Sequence, residues 1–127
     1  MATRERTMTA ERLDAFLAAW NDRDVDAIMS YFTEDCVFHG SVGADLLGTT
    51  YRGREEMRAG IEAFLARNPT GRFEDASSWV AGDRGAADWT FLTTGPDGGE
   101  VATRGCDLFE FDGDLIRVKN AFRKLRT

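Results

Sequence analysis

Apolar residues recur along the first half of the chain with a helical period. Leu13, Phe16, Leu17 and Trp20 stand at i, i+3, i+4 and i+7, one face of a helix predicted to begin near Thr9. Asn21-Asp22-Arg23 interrupts that face, and Asp24 is placed to cap a second helix with Val25, Ile28, Met29 and Phe32 as its stripe. A short β-like run over 36–39 comes next. Residues 40–53 are glycine-marked and irregular, and so long a loop in a compact domain is either a binding element or surface decoration. A third helix is expected from Arg54 to about Arg67, with Met57, Ile61, Phe64 and Leu65 inward. Asn68-Pro69-Thr70-Gly71 stops it.

The period then changes. Residues 72–81, 86–94, 100–111 and 115–125 read as four strands, joined by glycine-bearing hairpin turns at 82–85, 95–99 and 112–114. Helices first and a meander afterwards predict an α+β domain with the helices on one face of the sheet. Across 100–111 the odd positions include Asp107, Phe109 and Phe111, which makes that face the inner one. Across 115–125 the even positions Ile116, Val118, Asn120 and Phe122 are expected to face inward, with Asn120 the lone polar group. Whether Asp112-Gly113 or Gly113-Asp114 forms the turn, Asp107 and Asn120 become diagonal or direct cross-strand neighbours. Two polar groups converging on an aromatic surface are what a ligand pocket presents, although the two can also bond each other as a purely structural pair. With no cation expected on that face, burial predicts that Asp107 keeps its proton. Trp89 and Phe91 favour the opposite phase to Asp88, leaving Asp88 exposed.

Composition narrows the functional classes. The 127 residues are 43% hydrophobic and 30% charged, as in an ordinary globular domain of one core. Residues 1–8 are expected to be a flexible terminus and 9–127 a single domain. Neither a signal peptide nor a run long enough to cross a membrane is expected, and the predicted location is cytoplasmic. A net charge of −6 argues against nucleic acid. The basic cluster Arg117, Lys119, Arg123, Lys124 and Arg126 is expected on a solvated or pairing sheet face. Cys36 and Cys106 are expected to be reduced and buried. No spacing of histidine, cysteine and acids suggests a metal, and no glycine motif suggests a nucleotide, so no cofactor is expected.

Four motifs add a resemblance. Trp20-Asn21-Asp22-Arg23-Asp24-Val25-Asp26-Ala27-Ile28, with Tyr31-Phe32-Thr33-Glu34-Asp35-Cys36-Val37-Phe38, resembles the opening of SnoaL-like and ketosteroid-isomerase-like proteins. Tyr51-Arg52-Gly53-Arg54-Glu55-Glu56-Met57 is similar to the start of that family's third helix. The run from Asp107 to Ile116 is similar to its D-x-F-x-F-x-x-G-x-I hairpin. The order holds from about Thr9 to Leu125.

The resemblance implies a cone-shaped α+β roll, cystatin-like and shared with nuclear transport factor two: three helices on a curved, mainly antiparallel sheet, around a deep cavity and commonly in a homodimer. It implies no single chemistry, because that fold serves isomerases, cyclases, hydrolases and non-catalytic modules. Asp107 falls where ketosteroid isomerase carries an aspartic acid that donates to the substrate oxyanion. That enzyme's general-base aspartate aligns with Gly40 and its donor tyrosine with Phe16. In the epoxide-hydrolase branch Asn120 stands in place of an acid, while the arginine and aspartate correspond to Asp88 and Thr90. Both known catalytic sets are thus incomplete.

The expected function is binding, or cofactor-independent acid–base transformation of the isomerase, cyclase or hydrolase type, of a small, largely apolar molecule such as a polyketide-like compound or cyclic ketone. The alternative is a non-catalytic dimerisation or accessory module. Candidate polar site residues are Asp107, Asn120 and His39, although alternation with Phe38 points His39 outward. Candidate walls are Phe16, Trp20, Phe38, Tyr51, Met57, Ile61, Trp79, Phe109, Val118 and Phe122. A dimer face is expected from Arg104 and Glu110 set against Arg117, Lys119 and Arg123.

Overall fold

Capping fixes where the first two helices begin. In the computed structural model, which describes residues 6–126, the Thr9 hydroxyl accepts from the Arg12 amide at the start of α1 (Ala10–Asn21). The Asp24 carboxylate accepts from the Ala27 amide at the start of α2 (Val25–Met29). Phe32, expected on the second helical stripe, instead opens β1 (Phe32–His39), where it pairs with Ile116. The chain then forms β2 (Thr50–Arg52) and α3 (Gly53–Arg67), followed by the hairpin strands β3 (Arg72–Ala81), β4 (Arg84–Thr94), β5 (Glu100–Asp112) and β6 (Leu115–Arg123).

The six strands make one sheet in the order β2-β1-β6-β5-β4-β3. Neighbours are antiparallel except β1 and β6, which run parallel. The helices lie on the inner face, as the α+β pattern predicts. Asn21 ties α1 to the far edge of the sheet: its amide donates to the Phe73 carbonyl at 2.9 Å and accepts from the Phe73 amide at 2.7 Å. Arg23 stands at a positive φ of 57° and donates to the carbonyls of Leu65 and Asn68, satisfying the end of α3. The terminus is anchored earlier than expected. Met8 is buried in the core and its amide bonds the Gly113 carbonyl at 3.0 Å, while residues 1–5 and 127 lie outside the described residues.

One irregularity controls the site. The β5–β6 turn is Gly113-Asp114, with Asp112 opposite Leu115 and Phe111 opposite Ile116. Glu110 then pairs with Val118, so Arg117 is an extra residue, a β-bulge. Beyond it every β6 side chain changes face. Lys119 and Ala121 turn inward, while Val118, Asn120 and Phe122 turn outward.

Candidate ligand-binding site

The inner face of the sheet, the last turns of α1 and α3, and the loop over 40–49 enclose a cavity of about 490 Å³. That lies within the ordinary range for small-molecule sites, roughly 300–1,000 Å³. Its walls are aromatic. Phe73 sits 5.0 Å from Trp89 and 4.8 Å from Phe91 between ring centroids, Phe64 lies 5.6 Å from Trp20, and Phe38 stacks on Tyr51 at 5.5 Å. Two glycines make room for these rings. A Cβ on Gly60 would stand 2.8 Å from the Tyr51 ring, and one on Gly105 would stand 2.5 Å from the Trp89 ring. Gly40, Ser41, Val42 and Thr49 border the same space, so the long loop is a wall of the cavity.

A buried ion pair lies behind the aromatic surface. Asp107 is 1% exposed and Lys119 6%. The Trp89 indole N–H donates to Asp107 Oδ2 at 2.9 Å. Asp107 Oδ1 faces the Lys119 ammonium at 3.2 Å, a charge contact outside hydrogen-bond geometry. The ammonium also stands 4.3 Å from the Phe38 ring centroid and 5.1 Å from that of Trp20, a cation held against two π faces. Lys119 and Trp89 border the cavity, and Asp107 holds both from behind.

These positions correct several expectations. Asp107 is on the inner face, and the bulge brings the Lys119 ammonium to that face, where no cation was expected. Asn120 is not its neighbour. It pairs with Leu108 on the outer face and borders a shallower depression beneath the 40–48 loop. His39 is half-buried on that outer side, its Nδ1 2.8 Å from the Thr50 hydroxyl. Burial, helped by the Arg52 guanidinium, holds the imidazole below its usual range.

Of the expected walls, Trp20, Phe38 and Tyr51 border the cavity. Phe16, Met57, Ile61 and Phe109 are fully buried core behind it. Val118 and Phe122 are carried outward by the bulge, and Trp79 is 56% exposed on the outer face because a second bulge, between Glu74 and Ser77, reverses β3. Trp89 and Phe91 do face inward, and Asp88 lies outside against Arg104 at 2.6 Å. The basic cluster divides: Arg117 contacts Glu110 outside, Lys119 is buried, and Arg123 borders the cavity. Phe64, Trp89 and Phe91, inward by helical period and strand alternation, also border the cavity, whereas Lys119, Phe73 and the loop residues are wall members that neither pattern singles out.

Cys36 is buried as expected, and burial pushes its thiol up. Cys106 is only half-buried, on the outer face opposite Phe122. Desolvation, with the Asp107 and Asp88 carboxylates beside it, raises its thiol too. At pH 8 both native cysteines are therefore expected to react with a disulfide reagent at least tenfold more slowly than in denaturant, Cys106 faster than Cys36. Equal native and denatured rates for Cys106 would contradict its surroundings.

Similarity to known proteins agrees with this architecture. The SnoaL-like domain family matches residues 13–118. An NTF2-like protein of unknown function from Mesorhizobium loti is 26% identical, with a TM-score of 0.73 over 91% of this chain and 90% of that one. A candidate polyketide cyclase from Xanthomonas campestris is 16% identical, with a TM-score of 0.74 over 88% and 87%. TerC, co-crystallised with polyporic acid, is 19% identical, with a TM-score of 0.76 over 90% and 89%. At the last two identities the likeness is one of fold. No curated protein matches the sequence.

Proposed function

The chain belongs to the SnoaL-like domain family, and from that premise we propose that its cavity binds a small, flat, largely apolar molecule of the polyketide-like or cyclic ketone class. The observation that carries this reading is the cavity itself: about 490 Å³, walled by Trp20, Phe38, Tyr51, Phe64, Phe73, Trp89 and Phe91, with an ion pair behind them. Aromatic walls favour a planar ring, and an ammonium in their midst favours a ring that carries oxygen. Among the described residues that border the cavity there is no carboxylate and no imidazole. Of the groups that border the cavity, the Lys119 ammonium and the Tyr51 phenol have the lowest intrinsic pKa values, and polarisation of a carbonyl by Lys119 is the chemical step within reach.

The three tryptophans give an internal control. Trp20 and Trp89 border the cavity, and Trp79 lies on the opposite face of the sheet. On titration with hydroxylated naphthoquinones or cyclic ketones, the indole N–H resonances of Trp20 and Trp89 are expected to shift while that of Trp79 stays. Movement of Trp79 alone, or of none at millimolar ligand, would remove the reading.

A homodimer accompanies the same proposal, on the outer face of the sheet but through apolar residues in place of the expected charged ones. Arg104 and Glu110 are satisfied within the chain by Asp88 and Arg117, and Lys119 and Arg123 face inward. The outer face instead presents a row from Trp79 through Ala86 and Leu108 to Asn120, with Phe122 beside it. Leu108 is 48% and Phe122 47% exposed. An apolar face of this kind suits its own two-fold copy. Light scattering is expected to give twice the 14.1 kDa chain mass at 100 μM, about the concentration of a routine run, and Leu108→Glu to give the monomer. A wild-type monomer under those conditions would end the dimer proposal.

A further inference from the structure

The acidic chain keeps acids out of its cavity wall. Against a net charge of −6, the described residues that border the cavity include Lys119, Arg67 and Arg123 and no aspartate or glutamate. Arg67 ends α3 and Arg123 ends β6, both exposed, and neither is ion-paired among the described residues. Asp107, the carboxylate that faces Lys119, is set behind the wall, where Trp89 takes its other oxygen. Such a distribution makes the cavity a local positive well in a negative protein.

Two buried donors point the same way. An ammonium carries three N–H donors, and that of Lys119 touches one carboxylate oxygen and two ring faces. Trp20, also a wall residue, is 4% exposed, and its indole N–H has no hydrogen-bond partner. A buried donor without an acceptor is unfavourable, and in a cavity wall it is most simply satisfied by what the cavity holds.

We propose that the ligand is an anion: an aromatic or conjugated ring bearing a carboxylate or an acidic enol, its charged oxygen held by Lys119 and its ring between the aromatic walls. This rests on the small-molecule reading above and adds the charge of the ligand to it. The arginines at the ends of α3 and β6 add to the field that draws the anion in.

Calorimetric titration with two probes of nearly the same shape, 2-naphthoate and 2-naphthamide, tests it. The wild-type protein is expected to bind the carboxylate at least tenfold more tightly than the amide. The double variant Lys119→Met/Asp107→Asn replaces the ion pair by neutral groups of similar size and leaves the net charge of the chain unchanged. The side-chain amide oxygen that Asp107→Asn introduces can still accept from Trp89, so the fold is kept. In the double variant the preference is expected to fall to within threefold, through loss of carboxylate binding alone. Equal binding of both probes by the wild type, or a preference that survives in the double variant, would overturn the anion proposal and leave the small-molecule reading standing. Binding of neither probe at millimolar concentration would overturn both.

Discussion

Lys119→Met is expected to lower the free energy of unfolding at pH 7 by about 3–5 kcal/mol, the cost of leaving one member of a buried ion pair alone. Asp107 is 1% exposed, and its remaining partner would be the Trp89 indole N–H at 2.9 Å. One neutral donor does not replace an ammonium at 3.2 Å in surroundings of low dielectric. The double variant Lys119→Met/Asp107→Asn is expected to recover most of that loss, because a neutral pair of similar volume has no charge to desolvate. Asp107→Asn alone leaves the ammonium without its counter-ion and is expected to destabilise as well. Urea denaturation of the four proteins closes the double-mutant cycle. If Lys119→Met lost less than about 1 kcal/mol, the pair would be behaving as a solvent-exposed one, and the buried anchor would be ruled out.

The position of Lys119 shows where sequence pattern stops. Helix starts were legible because Thr9 and Asp24 carry the side-chain oxygens that caps need. The four hairpin strands were legible because turn residues and a two-residue period bound them, and the inner face of β5 because Phe109 and Phe111 mark it. On β6 the apolar residues Ile116, Val118 and Phe122 share the even positions, which predicts one continuous inner face. The bulge at Arg117 breaks it, with no glycine or proline there to announce it. Its cause is non-local: the inserted residue lets Arg117 reach Glu110 outside while the next inward position, Lys119, meets Asp107. A one-residue shift reversed the expectation for Lys119, Asn120 and Phe122 together.

The other departures have similar causes. Phe32 continues the spacing of Ile28 and Met29, so its place in β1 became evident only from its pairing with Ile116. Strand β2 is three residues long, too short for a period, and exists because Thr50–Arg52 adds to the edge of β1. The distinction between cavity wall and core also exceeds what alternation can give. Inward-facing Phe16, Met57, Ile61 and Phe109 and inward-facing Phe38 and Tyr51 look alike in sequence. They differ only in how closely the opposite layer approaches.

Phe16 tests that distinction, because the resemblance aligns it with a catalytic tyrosine and the structure makes it core. Its ring is fully buried and meets Trp20, Tyr31, Phe32 and Phe109 edge-on, with centroids 6.2, 5.4, 5.5 and 6.0 Å away. It thus joins α1 to the start of β1 and to β5. Phe16→Ala would remove the ring from all four contacts and open a void that close-packed neighbours cannot fill, a loss of about 3–5 kcal/mol. Phe16→Tyr would separate burial from chemistry: the added hydroxyl enters a fully buried site among four aromatic rings, and a hydroxyl buried there unpaired costs about 1–3 kcal/mol. Urea melts are expected to place the stabilities in the order wild type, Phe16→Tyr, Phe16→Ala. Naphthoate affinity, measured where each variant is folded, should stay within threefold, since Phe16 stands behind Trp20 rather than beside the ligand. A large loss of affinity with little loss of stability would return Phe16 to the cavity wall and undo the division between wall and core.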